Sequence, residues 1–355
     1  MTQNLLFLDS GAFSVWNSGG IVDIDAYIQF CQMHPGVSYY ANLDAIPGKP
    51  GDAASPRMEA MIDAACEESW NNYRRMIEYL PKEKVIPVYH RGEDPKWLDR
   101  YLDFGVDYIG IGQAVAFGGK VDQKAWLREN LWPRVLNNDG TLKVKTHGFA
   151  ITSFDLMKFM PWHSVDSTSW LKQAAYGVVY VPFQKGGVDD YSRAPFLLNC
   201  SPKSPSRHDP FHINTLSPSV RDQVTDYFTR MNIKPGKSEK VAVPSGYKKT
   251  DDELWFDKTK REVIRIVERG VTTCHQHRFR ANARYIQEAN KVLPVNHIYF
   301  AGGEGSIDDR IEYKLRRRLM SYHKIGTVKN ETLGKTAFLK WEQMAAADSA
   351  AQVVA

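Results

Sequence analysis

"VIPVYHRGEDPKWLDRYLDFGVDYIGIG", residues 85 to 112, is the stretch on which the fold turns. It opens with an apolar run that ends in His90 and closes with a second run, Tyr108 to Gly112. Short runs that are almost wholly apolar mark strands buried on both faces of a parallel sheet. Between them Asp94 and Pro95 form an N-cap and first-turn pair. Trp97, Leu98, Tyr101 and Leu102 then recur at helical spacing, and Gly105 ends the helix. Strand, helix, strand in that order predicts a parallel α/β unit.

The same unit recurs on either side. "LLFLD" (5 to 9), "YYANLD" (39 to 44), "VKTHGFAI" (144 to 151), "SVDST" (164 to 168) and "VVYVP" (178 to 182) read as further buried strands. Ser55 and Pro56 open a helix in which Met58, Met61, Ile62, Ala65, Met76 and Ile77 fall toward one face. A dinucleotide-binding loop is missing: "DSGAFS" has one glycine, and "GIGQAVAFGG" (110 to 119) lacks the required spacing. Strand after strand instead finishes in a polar residue: Asp9, Asp44, His90, Gln113, His147 and Asp166. In a closed barrel those ends form one mouth, so the expected fold is α/β, a (β/α)8 TIM-type barrel.

Residues 1–185 are expected to carry the main part of the barrel and its active site. A polar insertion, 186–290, is rich in Ser, Pro, Lys and Asp over 200 to 260, with helices expected near 217 to 231 and 251 to 268. Residues 291–330 supply a last strand, "HIYFAGG" (297 to 303), and a basic amphipathic helix, "IDDRIEYKLRRRLMSYH" (307 to 323), that complete the barrel. Residues 331–355 read as a tail.

With 355 residues, 43% of them hydrophobic, the chain is long enough to bury a sizeable core. No stretch approaches the roughly 18 consecutive apolar residues of a membrane span, and no basic-then-apolar leader opens the chain. The four cysteines, 31, 66, 200 and 274, are too scattered for a disulfide framework. The expectation is a cytoplasmic protein with no membrane partner. A net charge of +5 permits a nucleic-acid partner without declaring one. The charge is uneven: Lys314, Arg316, Arg317 and Arg318 cluster, and Lys234, Lys237, Lys240, Lys248 and Lys249 stud a polar stretch. Such runs are solvated faces or phosphate contacts.

Two acids carry candidate chemistry. Asp166 ends a strand between Val165 and the hydroxyl residues Ser167 and Thr168, which can orient a carboxylate and keep it ionised. A carboxylate nucleophile needs that in order to attack an electrophilic carbon and form an ester. The plainer reading makes Asp166 the N-cap of "TSWLKQAAYG". Asp9 is the second acid, able to move a proton, with a simple turn at Asp9, Ser10 and Gly11 as its plainer reading. Paired carboxylates of this kind serve chemistry at an anomeric carbon.

At these residues the chain resembles a known family. "LDSGAFS" looks like the Asp-Ser-Gly-Gly-Phe-Gln motif of the tRNA-guanine transglycosylase superfamily, and "YIGIGQAVAFG" is similar to its Ile-Gly-Gly-Leu-Ala-Val-Gly loop. "THGFAITSFDLMKFMPWHSVDS" resembles the segment that leads to the nucleophilic aspartate. Order and spacing agree over roughly residues 4 to 185. The resemblance implies a (β/α)8 barrel that exchanges guanine for a 7-deazaguanine base through a glycosyl-aspartate ester. It makes Asp166 the nucleophile, Asp9 the acid/base group and Asp44 the carboxylate that reads the purine's amine and ring N–H. Ser10, His90, Gly112, Gln113, Ala114 and His147 would line the base pocket, and Arg316, Arg317 and Arg318 would hold nucleic acid. With no recognisable RNA-binding appendage, the chain looks most like the phage-type enzymes that act on DNA, which favours DNA over tRNA and, for a phage protein, the host-cell cytoplasm. Such an enzyme flips its target base out of the stack. Trp16, Trp162, Trp170 and Phe117 are candidates to stack on bases.

The departures are specific. The sequence opens at the Asp-Ser-Gly strand, so set against the family the barrel is expected to be trimmed or rearranged at its N-terminus. His90 stands where a glutamine is expected and Gln113 where a glycine is. The family's compact three-cysteine zinc motif is absent, although Cys274, His275 and His277 in "TTCHQH" with Cys200 form a set that a structural zinc would accept. Three alternatives stay open: exchange in tRNA, a metal-dependent barrel hydrolase built on His90, His147, His163 and an aspartate, and a non-catalytic nucleic-acid-binding relative.

Overall fold

Pro87 has no amide hydrogen to give a ladder, so the run at 85 to 90 forms two short strands instead of one. That interruption falls between a three-stranded and a five-stranded parallel sheet. The computed structural model describes residues 5–17, 19–48, 56–112, 123–151, 153–202 and 211–300. The chain separates into two units, the first within Met1–Thr152, Leu156–Ser167 and Pro294–Ala355, the second within Ser153–Asp155 and Thr168–Leu293.

The first unit alternates strand and helix. β1 (Phe7–Leu8) is followed by α1 (Ala12–Asn17), α2 (Ile24–Gln32), β2 (Tyr39–Ala41), α3 (Pro56–Ile77), β3 (Val85–Ile86) and β4 (Val88–His90). Next come α4 (Pro95–Asp103), β5 (Tyr108–Gly112), α5 (Gln123–Trp126), α6 (Trp132–Val135), β6 (Lys145–Gly148), α7 (Phe154–Phe159) and β7 (Ser164–Ser167). A π-helical turn, Leu127–Leu131, joins α5 to α6. β1, β2 and β3 pair in parallel, as do β4, β5, β6 and β7. The Gly110 amide donates to the Pro87 carbonyl at 2.8 Å, so β5 also grips the break between β3 and β4.

Helix α4 forms as its sequence demands. The Asp94 side chain accepts from the Lys96 amide, Pro95 opens the first turn, and Trp97, Leu98 and Tyr101 are buried. Gly105 follows at φ +77°, a left-handed conformation that ends the helix with little strain. Burying a side chain the size of Leu98 contributes about 1.5–3 kcal/mol.

The second unit contains α8 (Ser169–Ala175), β8 (Val178–Val181), β9 (Phe183–Lys185), β10 (Val188–Asp190), β11 (Phe196–Asn199) and α9 (Pro218–Arg230). It continues through β12 (Lys237–Ala242), β13 (Glu253–Asp257), β14 (Glu262–Glu268) and α10 (His275–Asn290). The chain then returns to the first unit, where β15 (His297–Phe300) pairs in parallel with β7. On that strand Tyr299 packs on Phe7 of β1 with ring centroids 5.6 Å apart, so the first and last strands of the parallel set meet through their side chains.

Two expectations differ from what forms. The "VVYV" strand, β8, pairs antiparallel with β11 and belongs to the second unit. Residues 251 to 268 form the antiparallel hairpin β13–β14 in place of a helix, flanked by β12. Asp257 accepts from the Thr259 amide and hydroxyl to turn the chain, and Val263, Ile264, Ile266 and Val267 favour strand over helix. The second unit's core includes Val179, Leu198, Tyr227, Phe228 and Val271. The Asn282 side chain of α10 accepts from Tyr180 N at 2.8 Å and donates to the Trp170 and Val178 carbonyls, tying α10 to α8 and β8. No helix among the described residues is long and apolar enough to cross a membrane.

Candidate functional site

Polar side chains collect where the parallel strands end. Asp9 and Ser10 follow β1, Asp44 follows β2, His90 closes β4, Gly112 closes β5, and His147 and Asp166 stand on β6 and β7. The structure gathers them into two groups.

The first group centres on His90. Its Nε2 lies 3.1 Å from Asp44 Oδ2 and its Nδ1 lies 2.8 Å from Glu93 Oε1. Burial alone would pull the imidazole down, but the charge of Glu93 and the hydrogen bonds to Asp44 and Glu93 outweigh it and raise the ring to about 10. His90 is therefore a buried cation held between two carboxylates. Gly112 makes room for it: a Cβ there would stand 2.2 Å from His90 Cδ2. The Ser10 hydroxyl donates to Asp44 Oδ1 at 3.5 Å. Asp9 accepts from the Gly11 amide at 3.4 Å, the Asx turn its sequence suggests. Asp9 and Asp44 share a neighbour in Tyr27, whose hydroxyl is held well above its ordinary value by burial, then by Cys31, Asp9 and Asp44.

The second group centres on His147, which has no exposed surface. Its Nδ1 lies 2.6 Å from Ser164 Oγ, and that oxygen lies 2.5 Å from the Tyr108 hydroxyl. Phe7 stacks on the ring at 4.5 Å. The other ring nitrogen, Nε2, is 4.0 Å from Asp166 Oδ1. The same Asp166 oxygen accepts from the Ala150 amide at 2.6 Å. Ala150 reaches it at φ +54°, a left-handed conformation that costs energy in any residue with a Cβ, and strain of this kind concentrates at working sites. The result is a carboxylate held by a fixed amide, with the buried imidazole 4.0 Å away and its own side chain only 16% exposed. Thr168, two residues on, stands at the N-cap position of α8.

Glu93, Ser164, Tyr108 and Ala150 are participants that sequence reasoning missed. Gly92, at φ +105°, turns the chain so that Glu93 faces back onto His90, and "HRGE" was the available signal. Gln113, Ala114, Phe117, Arg316, Arg317 and Arg318 lie outside the described residues. Of the tryptophans expected to stack on bases, Trp162 and Trp170 are buried, and Trp16 donates to the Gly48 carbonyl at 2.9 Å.

The expected zinc set lies in the second unit. Cys200 sits in its apolar core, where burial pushes the thiol up to about 12, and Sγ contacts the Leu198 carbonyl. Cys274 caps α10, the His275 ring packs on Phe279, and burial followed by the cations Arg280, Lys234 and Arg269 pulls His277 down. Among the described residues no group of three or more His, Cys, Asp or Glu is arranged to hold a metal ion. For the hydrolase alternative, His163 precedes β7 and packs on His297 at 5.3 Å, at the strand ends opposite His90.

No protein-family model, no curated protein and no solved structure matches the chain.

Proposed function

We propose that the first unit is a closed (β/α)8-type barrel and that the protein is a pentosyltransferase, exchanging guanine in nucleic acid for a 7-deazaguanine base through a covalent glycosyl-aspartate. The observation that carries this reading is the Asp166 carboxylate at the end of β7, hydrogen-bonded by the Ala150 amide and faced by buried His147. Closure of the barrel is supported by the packing of Phe7 on Tyr299, which brings β1 beside β15.

In this mechanism an Asp166 oxygen attacks C1′ of the target nucleotide as the C1′–N9 bond breaks, giving a C1′–O ester. Asp9, in its acid form, delivers a proton to the departing guanine. The incoming base returns a proton to Asp9 as its nitrogen attacks C1′ and the ester bond breaks, restoring the Asp166 carboxylate. Asp44 accepts from the exocyclic amine and ring N–H of the base, groups that suit a carboxylate. His90, held charged by Asp44 and Glu93, orients Asp44 through their ion pair. Ser10 and Gly112 flank that carboxylate and its histidine.

The resemblance to phage-type enzymes favours DNA over tRNA. Mass spectrometry of nucleosides, after incubating the protein with DNA or tRNA and an isotope-labelled 7-deazaguanine base, tests the reading. Label is expected in DNA; label in tRNA alone would overturn the choice of DNA, and label in neither would overturn the exchange.

A further inference from the structure

The second unit carries a cleft in which cations gather without carboxylates. It runs along the turn that follows α9, as an open space of about 670 Å³ lined by Arg221, Thr229, Asn232 and Lys234. A smaller recess of about 160 Å³ shares Asn232 and Lys234 with it and is walled by Arg280 and Arg284 of α10. Among the described residues no Asp or Glu lines either space.

The sequence of α10 explains the placement. Arg280 and Arg284 are one turn apart and His277 precedes Arg280 by three residues, so all three share a face. Like charges at that spacing repel and destabilise an isolated helix. Among the described residues Arg221, Lys234, Arg280 and Arg284 form no ion pair that would offset them. Other arginines of the same unit are paired, Arg230 with Asp189 at 2.8 Å, Arg265 with Glu253 at 3.1 Å and Arg269 with Asp252 at 2.8 Å. Arg284 also donates to the Met231 carbonyl, which anchors the turn. Asn232 holds that turn at φ +51°.

We infer that this cleft binds the phosphate backbone of the nucleic-acid substrate, with Arg221, Lys234, Arg280 and Arg284 as the contacting cations. Guanidinium forks match phosphate oxygens, and the Thr229 and Asn232 side chains add neutral donors. Contacts of this kind set position along the strand and leave sequence to the pocket that reads the base. The inference rests on the reading that nucleic acid is the substrate.

Anisotropy of a labelled DNA duplex over a range of salt concentrations, with the full-length protein, tests it. R280Q/R284Q should weaken binding about tenfold or more for every sequence and flatten the salt slope by about 0.9 for each phosphate that is no longer neutralised. Both arginines are exposed, so the variant should fold, as circular dichroism would verify. K248Q/K249Q, which removes two exposed lysines outside the cleft lining, should leave the slope unchanged. An unchanged slope for R280Q/R284Q, or an equal loss in the lysine pair, would overturn the cleft. So would displacement of the duplex by inorganic phosphate at equal phosphate concentration, which would mark a free-phosphate site. The binding assay needs no base exchange. A failed cleft therefore leaves an Asp166 adduct intact, whereas a missing adduct beside a normal R280Q/R284Q response overturns the transglycosylase reading alone.

Discussion

Each unit buries a cation, and the two are held in opposite ways. In the first unit His90 lies between the carboxylates of Asp44 and Glu93 and stays charged up to about 10. In the second, Arg278 is satisfied by the Ala174 and Val271 carbonyls at 2.6 and 2.7 Å, and burial pulls its guanidinium below the ordinary value. Backbone carbonyls do not titrate, and through them Arg278 ties α10 to its neighbours. Carboxylates titrate and can accept from a ligand, so the His90 group has chemistry to offer. The contrast separates a unit whose buried charge is arranged around titratable partners from one whose buried charge is a fastening.

The largest effect should come from Asp9. Asp9→Asn is expected to leave nucleic-acid binding within about twofold yet slow base exchange by the 10²- to 10⁴-fold typical of lost acid/base catalysis. Measured turnover equal to wild type would reduce Asp9 to the Asx turn it makes with Gly11 and would erase part of the difference between the units.

A smaller effect, different in kind between the two units, concerns pH. The folded-state value of His90 lies above its ordinary 6.5, at about 10, so the charged ring binds its proton more tightly in the folded state. Its stabilising contribution is present in full below pH 6.5 and is lost as pH climbs to about 10. Unfolding free energies from denaturant titrations should fall across that window in wild type. Glu93→Gln removes the leading cause of the upward shift and should flatten the fall. Arg278→Met should lower stability at every pH alike, because the carbonyls it leaves unpaired carry no proton. A pH slope that survives Glu93→Gln would show that Glu93 does not hold the His90 charge.

Much of the first unit is legible in the sequence because buried strands leave a plain signature. An apolar run that stops at a polar residue marks where a strand ends, and Asp44, His90, His147 and Asp166 all stand out that way. Their partners are not legible. Ser164 and Tyr108 reach His147 through the register that sets His147 opposite Ser164 and Gly110, and register across three strands leaves no local trace. The second unit reads less well. The β13–β14 hairpin carries its apolar residues in a short block around Val263 and Ile264, too brief to tell strand from helix by spacing alone. For Cys200 the sequence shows a cysteine's identity and hides the apolar core around it.

The central claim is that Asp166 takes the sugar. The protein, incubated with its nucleic acid and a competing base and then denatured, should give a gel band shifted by one covalently attached strand. Asp166→Asn should remove that band while R280Q/R284Q only weakens it. A shifted band that persists in Asp166→Asn would contradict the account at its root.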